Sequence, residues 1–125
     1  MSVKQAMSGA AELVVAWEDT AAAARSGDVP VLATPRVVAL CEEASVHALA
    51  GYLPEGHTSV GTRVEMAHLA AVAVGSAVRA VATLEKTEGR RLVFSVSVTD
   101  RCGLVAVGKV TRVVVERDHF VHKAR

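Results

Sequence analysis

The sequence predicts an α+β domain in which a curved antiparallel sheet wraps one long central helix. Three observations carry this expectation. A helical apolar period runs from residue 35 to about residue 50, and a two-residue alternation takes over after residue 58. The apolar residues are also small or β-branched, with 24 Val and 22 Ala among 125 residues. Val favours strands, and Ala lets a helix and a sheet approach closely. The chain is 51% hydrophobic, which excludes disorder. A net charge of +1 and only 3% aromatic residues argue against a nucleic-acid partner, which calls for a basic surface or stacking rings.

Residues 12–18 read as a first strand, with Leu13, Val15 and Trp17 on one face. Residues 20–30 read as a short Ala-rich helix and a loop. At Thr34-Pro35 a helix begins, with Thr34 as the cap and Pro35 where its missing N–H costs nothing. Val37, Val38, Leu40, Cys41, Ala44, Ala48 and Leu49 cover more than half of that helix, so it must be surrounded rather than laid on a surface. A loop with Pro54 and Gly56 follows. Strands are expected over 59–70, 74–86, 90–100 and 104–116. Val64, Met66, His68 and Ala70 share one face of the first, and Leu92, Phe94, Val96 and Val98 one face of the third. Glu88-Gly89 and Cys102-Gly103 fit hairpin turns. One strand, a long apolar helix and a meander of four strands make a single hot-dog domain over 1–125. Its open sheet edges favour a homodimer paired edge to edge.

Glu12 interrupts the apolar part of Met1–Trp17, so a secretory leader is not expected there. No apolar run approaches the ~20 residues that span a bilayer. Cys41 and Cys102 lie 61 positions apart without a CxxC pattern, so two free thiols and a cytoplasmic location are the default reading.

Several polar residues interrupt apolar faces. Glu42 and Glu43 sit mid-helix about 100° apart, so one of them is turned toward the wrapped side unless both lie on a solvated rim. His68 falls on an apolar strand face, as a structural or a reactive imidazole. Arg112 interrupts the face of Leu104, Val110 and Val114, where a charge wants a partner. Capping alone accounts for Thr34. His119 and His122 have a spacing that binds metal on a helix, but no carboxylate or thiol cluster joins them, so a solvated tail over 118–125 is expected. Gly61 stands alone, outside any phosphate loop, and no dinucleotide or nucleophile-elbow fingerprint occurs.

From residue 31 to about residue 115 the sequence resembles the fluoroacetyl-CoA thioesterase group of hot-dog proteins. The matching segments are Ala33-Thr34-Pro35 with Cys41-Glu42-Glu43-Ala44, residues 59–62, residues 64–71, residues 88–92 and residues 107–112. The resemblance implies a catalytic set of a Thr, a Glu eight residues on and a His twenty-six beyond it, which land on Thr34, Glu42 and His68. It implies substrate-binding roles for Gly61 and Arg112. Glu42 would act as nucleophile or general base, hydrogen-bonded to Thr34, with His68 as proton shuttle. The substrate would be a small or medium acyl-CoA, hydrolysed to acid and coenzyme A. Its phosphates would meet scattered arginines such as Arg63, Arg90 or Arg91. No metal or other cofactor, nucleic acid or membrane is called for. The departure lies in residues 1–30, the strand and lid region. The family has lid aromatics where this chain has Arg25, Ser26, Gly27, Asp28 and Val29. The resemblance therefore implies a thioesterase without implying selectivity for a fluorinated acyl group. Three alternatives are a non-catalytic acyl-CoA-binding hot-dog module, an enoyl-CoA hydratase-like protein and a purely structural dimer.

Overall fold

A computed structural model describes residues 7–125 of the chain. The stretch 1–6, shared by the discounted leader and the expected N-terminal region, lies outside the described residues. The elements in order are β1 (Ser8–Val14), a 3-10 turn (Trp17–Asp19), α1 (Ala21–Ala24), α2 (Thr34–Ala48), β2 (His57–His68), β3 (Ala77–Glu88), β4 (Arg91–Asp100), β5 (Gly103–Glu116) and α3 (Arg117–His122). All five strands join one antiparallel sheet in the order β1-β3-β4-β5-β2. The sheet curls around α2, which is the hot-dog arrangement.

The central helix buries Val37, Leu40, Cys41, Ala44, Ser45 and Ala48 against the sheet, chiefly against β1 and β3. The approach is close: a Cβ at Gly9 of β1 would overlap backbone atoms of Ala44 and Ala48. This is where the small-residue composition matters, because a larger side chain on either surface would push helix and strand apart. Across the sheet, Leu92, Phe94, Val96 and Val98 all point into the core, as the alternation in the sequence required. Cys41 is buried and Cys102 exposed, both as free thiols.

Four sequence expectations are corrected. The first strand ends at Val14 rather than Glu18, and Trp17 sits in the 3-10 turn with 58% of its surface exposed. The meander comprises only β3, β4 and β5, because β2 pairs with β5 at the sheet edge. Residues 69–76 therefore run from one side of the sheet to the other, held by Leu69 N–H to Val105 O at 2.7 Å and Gly75 N–H to Val15 O at 2.8 Å. Leu104 is exposed because the register between β4 and β5 shifts after Val98, so that Val105 and Ala106 are both buried. The end of the chain is not all tail, since Glu116 caps α3 by accepting the His119 N–H at 2.7 Å. His119 and His122 on that helix are exposed, and no grouping of metal-binding side chains occurs among the described residues. No helix among them is long and apolar enough to cross a membrane.

Candidate active site

Thr34 is the first residue of α2, and Ala33 occupies the cap position with no side-chain hydrogen bond. The capping role expected for Thr34 is therefore not the one its hydroxyl plays. The reason lies one residue earlier: the Ala33 N–H donates to Asp19 O at 2.9 Å, which fixes how the chain enters the helix. The Thr34 hydroxyl is left to point outward, and its Oγ1 lies 2.7 Å from Nδ1 of His68 at the end of β2. Nε2 of His68 is buried without a hydrogen-bond partner among the described residues. The pair joins a helix N-terminus to a strand end across 34 positions of sequence.

A second cluster lies further along the same helix. Glu42 is half-buried while its neighbour Glu43 is exposed. Glu42 Oε2 accepts from Arg112 Nη1 at 3.3 Å. Arg112 is almost fully buried, and its Nε donates to Ser59 Oγ at 2.8 Å and its Nη2 to Ser59 O at 3.0 Å. Burial pulls the guanidinium below its ordinary range, while the charge and hydrogen bond of Glu42 push it back up. Gly61 and Arg112 are register partners on β2 and β5. A Cβ at Gly61 would overlap the Glu42 carboxylate, so the glycine is the space in which that carboxylate sits.

A family model described as fluoroacetyl-CoA-specific thioesterase, FlK, matches residues 15–118. This chain belongs to the fluoroacetyl-CoA-specific thioesterase family. It is a thioester hydrolase of the acyl-CoA class. It is 39% identical over 95 residues to the fluoroacetyl-CoA thioesterase of Streptantibioticus cattleyicolor, covering 76% of this chain and 68% of that protein. Among solved structures, a variant of the thioesterase FlK superposes with a TM-score of 0.87 at 31% identity, covering 98% of this chain and 96% of the other. A thioesterase superfamily member from Thermus thermophilus superposes with a TM-score of 0.89 at 32% identity, covering 97% of this chain and 90% of the other.

Within this thioesterase family member, the five expected site residues fall into two groups. Thr34 and His68 form one, and Glu42, Gly61 and Arg112 the other. The hydrogen bond expected between Glu42 and Thr34 is not made within the chain. Eight residues of helix separate their backbones by about 12 Å along the axis, and each side chain is engaged elsewhere. Two of the arginines proposed for phosphates are already paired, Arg63 with Glu65 and Arg91 with Glu88.

Sequence reasoning missed two supports. Ser59 holds two of the three Arg112 donor groups, a role marked in the sequence only by its proximity to Gly61. Asp19 is buried, accepts from Ala16 N–H at 2.9 Å and pairs with Arg36 Nε at 3.0 Å in the first turn of α2. Its backbone and its side chain thus both fasten the helix start that presents Thr34. The only signal for Asp19 was its spacing three residues after Ala16, the geometry of a local side-chain turn.

Proposed function

We propose that the protein hydrolyses a small or medium acyl-CoA, with Glu42 as nucleophile or general base and the Thr34–His68 pair as the proton-transfer group. The observation that carries this reading is the 2.7 Å contact of Thr34 with His68 at the edge of an open cavity. A hydroxyl tied to an imidazole is a ready proton relay, because each ring nitrogen can give or take a proton. Glu42 supplies an oriented carboxylate, kept in place by Arg112 and by the bare backbone of Gly61. Overall, water adds to the thioester carbonyl, the C–S bond breaks, and a proton is delivered to the departing coenzyme A sulfur. Two of these relatives are named for fluoroacetyl-CoA; the residues 25–29 that stand in place of the family's lid aromatics favour a different acyl group here.

The 12 Å separation of the two groups along one helix supports a homodimer. Pairing of two chains through the open edge of β2, which carries Gly61 and His68, would let the half-sites meet across the interface. We place this enzyme in the cytoplasm, with neither nucleic acid nor membrane as partner and no cofactor beyond the coenzyme A of its substrate.

The test is free-thiol release from a panel of acyl-CoA esters by the wild type and by Glu42→Ala. Release that falls by about 10²-fold or more in the variant supports the assignment. Binding without release would leave an acyl-CoA-binding module, and hydration of an enoyl-CoA without free thiol would make the protein a hydratase.

A further inference from the structure

We propose that the cavity beside Thr34 and His68 receives the acyl group and selects an uncharged aliphatic chain longer than acetyl. This rests on the hydrolase reading of the site and adds the substrate class to it. The cavity measures about 310 Å³, at the lower end of the range for small-ligand pockets. Thr34 and His68 form part of its wall, and nearly all the rest is aliphatic, including Val29, Val31, Leu69 and Ala71. Among the described residues, Ser26 is the other polar side chain of the lining, and apart from the His68 imidazole no ionisable side chain faces the space.

The charge pattern decides against acidic acyl groups. A carboxylate at the far end of the chain, beyond the Thr34–His68 pair, would meet aliphatic walls with no Lys or Arg among the described lining residues to receive it, which is costly. Arg112 does not line this cavity and is committed to Ser59 and Glu42. The walls are also held in advance. Leu32 N–H donates to Val72 O at 2.8 Å, and Val31 bridges to Ala73, lacing the two segments that face each other across the opening. Val29 and Leu69, one on each segment, are 50% and 59% exposed. Two unpaired aliphatic side chains at the mouth of a pocket that contains the reactive pair are what an alkyl chain would cover.

The experiment compares kcat/KM for acetyl-, propionyl-, butyryl-, hexanoyl- and succinyl-CoA in the wild type, Val29→Phe and Leu69→Lys. The same proteins are titrated with S-ethyl- and S-hexyl-CoA thioethers, read by melting temperature, which probes the pocket without chemistry. Burial of each methylene predicts a rise of about fourfold per carbon until the cavity is full. Succinyl-CoA should fall at least tenfold below butyryl-CoA. Val29→Phe should reduce hexanoyl-CoA turnover at least tenfold more than acetyl-CoA turnover, and Leu69→Lys should raise the succinyl-to-butyryl ratio. A flat chain-length series, or succinyl-CoA matching butyryl-CoA, overturns the assignment. So does an equal loss on every substrate in Val29→Phe, which would mean that the cavity holds the pantetheine arm. If no substrate releases thiol, the hydrolase reading falls. The pocket then stands only if S-hexyl-CoA stabilises more than S-ethyl-CoA and Val29→Phe removes the difference.

Discussion

The carboxylate of Glu42 on the central helix lies against the backbone of Gly61 on the edge strand, with Arg112 closing the contact from β5. Any side chain at position 61 competes with the carboxylate for the same volume. Glu42 is flexible at that end, so Gly61→Ala displaces the acid group rather than the strand. We expect thiol release to fall by roughly 10²-fold, the scale of a displacement near 1 Å, while Tm stays within a few degrees. An active Gly61→Ala enzyme would show that Glu42 does not act from this position.

Thr34 offers a sharper separation of stability from activity. A threonine that caps a helix costs about 1 kcal/mol when its hydroxyl is lost, but here Ala33 holds the cap position and the hydroxyl goes to His68. Thr34→Val should therefore change unfolding free energy by less than about 0.5 kcal/mol. Turnover should drop by about 10²-fold. Urea unfolding beside a thiol-release assay checks both, and a stability loss near 1 kcal/mol would return the residue to a capping role.

Asp19 is the hinge pin of the helix start. Asp19→Ala removes the acceptor for Ala16 N–H and strips Arg36 of its partner, for a cost of about 1–3 kcal/mol. Asp19→Asn keeps the first contact and loses only the charge, so it should cost less. Hydrogen exchange at the Ala33 amide, which donates to Asp19 O, reports the loosening directly. Unchanged protection in Asp19→Ala would mean that the side chain does not secure this junction.

Burial and, secondarily, the charge of Glu42 push the Cys41 thiol up from its ordinary 9.0 to about 11. The neutral form is favoured in the folded state, so its contribution to stability is complete below pH 9 and is lost as pH rises toward 11. At about 1.4 kcal/mol per pKa unit, that is on the order of 3 kcal/mol. Unfolding free energy measured at pH 8 to 11 should decline in this window, and Cys41→Ala should flatten the decline. An identical slope in the variant assigns it to other groups.

How much of this was readable beforehand depends on what each residue answers to. Leu92, Phe94, Val96 and Val98 were legible because one-sided burial writes itself as strict alternation. The register shifts near Thr62 and Val105 were not, since one extra residue moves the phase without changing composition. Leu104 was misplaced for that reason. Within the site, Arg112 announced itself as a charge on an apolar face, and helical geometry narrowed the acid to Glu42 or Glu43. The Thr34–His68 contact joins residues brought together only by the curl of the sheet, and no local pattern encodes it. Asp19 drew no reading from the sequence because its partner, Arg36, is met only once the chain has folded back.

The two cysteines turn the molecule into its own reporter. With Cys102 at the surface and Cys41 sealed in the core, an aromatic disulfide reagent should count one thiol per native chain and two per denatured chain. In any assay that follows coenzyme A through its sulfhydryl, the first equivalent is a fixed background to subtract. The slow appearance of a second is a clock for opening of the helix–sheet interface, read in the same cuvette as catalysis.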